Sequence, residues 1–515
     1  MRPARSNWFK EECMKKLITT VALVAALLLG SATAASQVTV AVGQLPGHFD
    51  PQNNNASTVS GIIINIFEYM VMKDEQGQFI PALATSWESV DPLTWRFTLR
   101  EGVKWHDGVP FTAADVKFTF ERVAKDATLV RHAYYKHIES VEIINDHEVV
   151  FHTSTPDPIF LSNLSRNGAS VLPRHHWEAM GADVAAQKPI GTGPYVFSEL
   201  RTDDRLILTA NDDYWGGRPA YDTAVFRRIT EGSTAVSELL TGGVDLVASV
   251  SRAEVTRFDG AAAAKVVPVI GNRINHLTFN TREGQITADQ RIRAAVDYAV
   301  DDELLLEVLQ DGAGAPVQAR VSPGTFGSPL EYYDSYLYDV EVAKNLLAEA
   351  GYGPSKPAAI TLMGSNGYAD TADLVGAMLE EAGFVVEIKL FEPSVWSAKY
   401  SSTGDFTNVA FGAASDSSFD YGNSLIDNTC PNGVYYVQTG WCNEGYDALV
   451  NQANTEFDSE KRVALLRDAT EILVAERPQY YMYASATFVG VSNAMEFRPR
   501  ADSLIILATA RPAAH

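Results

Sequence analysis

From Val38 onward, apolar positions follow two periods that take turns along the chain. TWRFTL, from Thr94, places an apolar side chain at every second position, the spacing of a half-buried strand. VTVAV from Val38, RLILTA from Arg205 and VVEIKLF from Val385 have the same β-branched, alternating character. VEIINDHEVVFHT, from Val141, predicts a hairpin with Asn145-Asp146 at its turn. Between these runs the period lengthens to that of a helix. Thr112 to Asp115 has capping-box spacing ahead of VKFTFERV, and Thr287 with Gln290 repeats it ahead of RIRAAVDYAV. VAKNLLAEAG and LVGAMLEEAG stop at Gly351 and Gly383, and KRVALLRDATEILVAERP stops at Pro478.

Strands and helices mixed in this way predict α/β lobes rather than a bundle or a sandwich. The 515 residues suggest two or three of them. Gly/Pro clusters at PIGTGPY (from Pro189), GAGAPVQARVSPGTFG (from Gly312) and GYGPSKP (from Gly351) mark linkers or loops that face a cleft.

The first residues change the picture from a fold to a compartment. Lys15 and Lys16 precede a 14-residue apolar run from Leu17 to Gly30, and Ala32-Thr33-Ala34 follows. This is the three-part pattern of a secretory signal peptide, assigned to residues 1–35 with Met14 as a possible start. The run is shorter than the roughly 20 residues that span a bilayer. Cys13 lies within the leader. Cys430 and Cys442 remain, twelve positions apart, and in an oxidising compartment such a pair is expected to form a disulfide; two free thiols are the alternative. The net charge of -23 argues against binding to nucleic acid or anionic lipid.

Catalytic signatures are absent. The chain has no G-x-S-x-G elbow, no H-E-x-x-H helix, no P-loop and no G-x-G-x-x-G. His175, His176 and Glu178 lack the spacing that puts two imidazoles on one helix face. No cofactor and no metal site is expected.

Several phrases together resemble the bacterial extracellular solute-binding proteins of the dipeptide, oligopeptide and nickel ABC importers (family 5). They are LATSWESVDPLTWRFTLREGVKWHDGVPFTAADVKFTFERV from Leu83, PIGTGPYVF from Pro189, NDDYWGGRPAYD from Asn211, HLTFNT followed by RIRAAVDYAVD from Arg291, YDVEVAKNLLAEAGY, and WCNEGYDALV. The resemblance implies a periplasmic binding protein-like α/β fold: two large lobes joined by a hinge, with a smaller third lobe inserted in the first. Residues 36–80, 189–284 and 488–515 would form lobe I, 81–188 the small lobe and 285–487 lobe II. It also implies a monomeric periplasmic receptor that binds a peptide-like ligand in the cleft and hands it to membrane permease subunits. Transport of an oligosaccharide, an opine-like conjugate or a metal chelate is the alternative, and a secreted peptide-binding chaperone or hydrolase is a second.

The resemblance also nominates site residues. The family's amine-pairing Asp falls on Ser415 of VAFGAASDSSFDYGNSLIDN, with Asp416 one residue later. Asp420 is a further candidate for an amine, and Ser417, Tyr421 and Asn423 belong to the same segment. No Arg stands in GYADTADL, where a dipeptide-type clamp would hold the ligand carboxylate. Asn53, Asn54, Asn55, Ser57, Trp396 and Tyr421 form a set suited to neutral polyols: amides and hydroxyls for polar edges, rings for flat faces. Tyr134 completes the expected cleft residues.

Overall fold

A computed structural model describes residues 36–54, 57–75, 77–416, 418–431 and 433–514. The signal-peptide reading, Asn55 and Ser417 lie outside the described residues.

TWRFTL folds as the strand Thr94–Leu99, with Trp95, Phe97 and Leu99 buried and Arg96 and Thr98 exposed. It belongs to a four-stranded antiparallel sheet in the order Ala84–Asp91, Thr94–Leu99, Glu148–Thr153, Ile138–Asn145. In the predicted hairpin Asn145 pairs with Glu148, so Asp146 and His147 make the turn, one residue later than the sequence suggested. Helix Ala113–Lys125 packs on this sheet and buries Val116, Phe120 and Val123. Its capping box forms, because the Asp115 carboxylate accepts the Thr112 backbone N–H at 3.0 Å. Phe97, Trp105, Phe120, Phe151 and Phe160 fill the core.

A larger sheet of eleven strands runs through the rest of the molecule. At its centre two long antiparallel strands, Ala264–Phe279 and Gln479–Ser492, pair along their length. On one side follow Leu246–Val250, Gln37–Val42, Thr223–Arg228, Arg205–Ala210 and Tyr195–Arg201, with Gln37–Val42 parallel to both its neighbours. On the other lie Val409–Ala414, Ala358–Ser365 and Phe384–Phe391. Short strand Gly314–Pro316 pairs off the main path.

The two sides have separate apolar cores. One is built on Val38, Phe49, Phe67, Tyr195 and Phe226. The other is built on Leu277, Phe279, Ile292, Leu362 and Phe411. Between them the register of the long strands slips. Ile270 pairs with Ala486 and Ile274 with Ala484, so Gly271, Asn272 and Arg273 stand opposite Ser485 alone. The long strands thus carry the chain from one core to the other at this bulge.

PIGTGPY is a packed turn rather than a linker. A Cβ on Gly191 would meet the Ile66 carbonyl oxygen at 1.8 Å, so only glycine permits that backbone contact. The second predicted capping box does not form. Asp289 caps helix Gln290–Ala299 by accepting the Arg291 N–H, while the Thr287 hydroxyl donates to the Asn280 carbonyl at 2.6 Å. An Asp directly before the helix outcompetes a Thr two residues earlier. Cys430 and Cys442 form a disulfide with Cα atoms 5.6 Å apart. Among the described residues no helix is long and apolar enough to cross a membrane.

Candidate functional site

A cavity of about 650 Å³ opens beside the bulge, lined from both sides of the sheet. Asn272, Gly324, Ser415, Ser418 and Phe419 line it from one side. Tyr69, Lys73, Arg131, Tyr134, Arg166, Arg500 and Asp502 are among those lining it from the other. The two sides also touch directly. Phe79 and Phe326 have ring centroids 5.7 Å apart, and Trp95 and Phe457 5.9 Å. The Lys73 ammonium donates to the Ser418 and Phe419 carbonyls and, at 3.2 Å, to the Ser162 hydroxyl. Burial pushes its pKa down to about 8, against the pull of Asp420 and Asp416.

Of the residues nominated by the sequence, Tyr134 and Ser415 line the cavity. Asn54 meets its rim through its carbonyl, which accepts from Arg131 Nε at 2.8 Å and Asn167 Nδ2 at 3.3 Å. The neighbouring loop is held by Arg122, whose guanidinium grips the Asp50 carboxylate at 2.6 and 3.2 Å. Asn53 is exposed, and Ser57 begins helix Ser57–Ile63.

The two candidate amine-binding carboxylates are engaged elsewhere. Asp416 accepts from the Ser418 N–H (2.8 Å) and hydroxyl (2.7 Å), and from Asn423 and Ser424 (each 3.2 Å). Asn423 is thereby a partner of Asp416. Asp420 is only 1% exposed and takes both ends of the Arg462 guanidinium, at 2.9 and 2.6 Å, together with the Gly422 N–H at 3.0 Å and the Ser162 hydroxyl at 3.3 Å. A carboxylate offers about four acceptor positions, and these partners fill them.

Two of the aromatic nominations, Trp396 and Tyr421, do not line the cavity. Trp396 is buried in a stack between Phe391 and Tyr400, its ring 5.1 Å from Tyr400 and nearly parallel to it. Tyr421 is wholly buried and accepts the Thr470 hydroxyl at 3.0 Å. Both are core side chains because their faces are already covered by neighbours.

Sequence reading missed the basic lining. Arg131 is 7% exposed and sits directly ahead of the short helix His132–Tyr135. Arg166 is 8% exposed and lies over the Tyr134 ring at 3.9 Å, with Arg131 5.8 Å from the same ring. Burial, and then the charge of Arg166, lower the pKa of Arg131. Gly168, at φ +98°, makes room for the Arg131 stem: a Cβ there would stand 2.8 Å from Arg131 Cγ. Arg500 donates to Asp502 and to the Lys73 carbonyl.

The sequence profile of the bacterial extracellular solute-binding proteins, family 5 Middle, matches residues 78–433. The chain belongs to this family. It is 30% identical over 437 residues to the di/tripeptide-binding protein 2 of Pseudomonas aeruginosa (strain UCBPP-PA14), covering 78% of this chain and 80% of that one. It is 27% identical over 512 residues to the dipeptide-binding protein of Escherichia coli (strain K12), covering 91% and 92%. The fold matches a periplasmic murein tripeptide-binding protein in its unliganded open form, with a TM-score of 0.84, 23% identity, and 94% and 98% coverage. This family and these relatives are binding proteins, and the periplasmic binding protein-like α/β fold expected from the sequence is the fold observed.

Proposed function

We propose that this solute-binding protein is the periplasmic receptor of an ABC importer, that it captures a short peptide between its lobes, and that it delivers it to membrane permease subunits without catalysing a reaction. The observation that carries the reading is the cavity itself. It lies where the two long strands pass from one core to the other, and each half of the molecule supplies part of its wall. Its volume falls in the range of small-molecule sites. Closure about the bulge would bury a ligand from both sides. The names of the relatives, which bind dipeptides, tripeptides and murein peptide, support a peptide ligand.

In this reading residues 36–80, 189–284 and 488–515 form lobe I, 81–188 the inserted lobe and 285–487 lobe II. Within those ranges the long strands change cores at 270–274 and 484–486. The receptor acts as a monomer and binds one ligand.

The test is a thermal-shift and calorimetric screen of ligand-stripped protein against di- to pentapeptides, oligosaccharides and metal chelates. A peptide at 100 times its Kd is expected to add about 2.7 kcal/mol of stability. Stabilisation by non-peptide compounds alone would overturn the peptide reading. Peptide cleavage by the purified protein would overturn the receptor reading.

A further inference from the structure

The two halves of the molecule meet away from the bulge as well as through it. Trp95, on the strand Thr94–Leu99, meets Phe457, which precedes the helix Ser459–Glu476 on the other half. Phe457 packs against the core of the four-stranded sheet, although its own chain neighbours belong to a different core. Phe79, on the short strand Phe79–Pro81, meets the buried ring of Phe326 in the same way. Lys73 lies 5.2 Å from the Phe79 ring and donates across to the Ser418 and Phe419 carbonyls. The Phe326 N–H donates to that same Phe419 carbonyl at 3.0 Å. The Ser162 hydroxyl donates to Asp420 at 3.3 Å.

These contacts form one continuous set of apolar and polar pairs. Every pair has one member on each half, so none survives if the halves part. Parting would return the facing rings to water and strip the Lys73 ammonium of two carbonyl acceptors. The backbone at Phe419 is set for the contact at a cost. Its φ of +50° is a left-handed conformation that a non-glycine residue avoids. Trp95, Phe457, Phe79 and Phe326 stand outside the cavity lining, while in the arrangement they hold both halves already line one cavity.

We propose that these contacts form a latch that holds the two halves at the angle seen here before a ligand arrives, so that the cavity is assembled in advance rather than drawn together by its cargo. The latch itself is independent of what the ligand is. Its effect on affinity rests on the peptide reading given above.

The experiment measures the angle and the affinity separately. Spin labels are placed on the exposed positions Glu139 and Asn345, one on each half, through Glu139→Cys and Asn345→Cys. Pulsed dipolar spectroscopy then reads the distance between them in ligand-stripped protein, with and without Phe457→Ala. Calorimetry with trialanine reads the affinity of the same proteins. The parent is expected to show one narrow distance distribution that trialanine leaves unchanged. Phe457→Ala is expected to broaden it or add a second population, and saturating trialanine to restore the parent distance. Trialanine should bind Phe457→Ala roughly 3- to 10-fold more weakly, because only the latched fraction is competent to bind.

A broad parent distribution that narrows only with trialanine overturns the latch, as does a Phe457→Ala distribution that matches the parent. A changed distribution with tighter trialanine binding overturns the preassembled cavity, since the contacts would then hold an angle that ligand must undo. The expected distances without trialanine binding to either protein overturn the peptide reading and keep the latch. Phe79→Ala, which removes a ring from the opposite half, is measured in the same way and decides the matter if Phe457→Ala does not fold.

Discussion

Two charged clusters lie near the cavity, one behind its wall and one lining it, and they are built on opposite terms. On one side Asp416, Asp420 and Arg462 are held together by buried donors, most of them local, with the Ser162 hydroxyl reaching Asp420 from the opposite side at 3.3 Å. On the other, Arg131 and Arg166 crowd a single tyrosine ring, and Arg131 has no acid among the described residues to answer it. A closed cluster belongs to the scaffold because a ligand would have to break bonds to enter it. On the other wall the buried Arg131 guanidinium meets a backbone carbonyl, and no carboxylate pairs with it among the described residues.

The largest effect that would probe this contrast is Arg462→Ala. It strands Asp420, 1% exposed, without its cation and is expected to destabilise the protein by about 3–5 kcal/mol in urea unfolding. A loss below about 1 kcal/mol would show that the cluster is not closed.

Next in size is the pH dependence set by Lys73, which spans the two sides. Its folded pKa, about 8, lies below the ordinary 10.5. Between those values the unfolded chain holds more protons than the native protein, so stability rises with pH. Burial of the charged form therefore costs stability below pH 8, and the cost is relieved as pH approaches 10.5, by as much as ~3 kcal/mol. Lys73→Met should remove that rise from the difference in urea midpoints between the two proteins; parallel curves would count against a buried charged Lys73.

Asp416→Asn is expected to cost about 1–2 kcal/mol of stability through its mismatched hydrogen bonds, while trialanine affinity stays within roughly threefold. A tenfold loss of affinity would instead place a ligand amine on Asp416. The smallest change is Tyr134→Leu, which removes the ring that orders the two arginines. It should cost about 0.5–1 kcal/mol of stability or less, as read by urea unfolding.

Local elements were legible in the sequence wherever the signal was local. The period-two run Thr94–Leu99 became a strand with its apolar face inward, and the Thr112 to Asp115 spacing became a capping box. Where two local signals competed, as with Thr287 and Asp289, the nearer and stronger cap prevailed. The family was legible because its phrases recur in order along the chain.

Roles that depend on distant partners were not legible. Nothing around Tyr421 announces Thr470 as its hydrogen-bond partner, and nothing around Asp420 announces Arg462. The stack of Trp396 on Tyr400 was readable in principle, since residues four apart share a helix face. Arg131 and Arg166 lie on separate segments, and only folding brings them to one ring. Tyr134, three residues beyond Arg131, was the single sequence clue to that part of the wall.

The slipped register between the long strands has a mechanical consequence. Ladder pairing slips at Gly271–Arg273 and again between Asn275 and His276, and it is regular on either side of this stretch. Flexing confined to so short a stretch leaves the two halves one principal angle between them. Cargo of different bulk would then be recorded as different values of that angle, while the outer surfaces of the two halves stay the same. A docking partner that gauges the angle needs no contact with the cargo, and one such gauge serves many side chains.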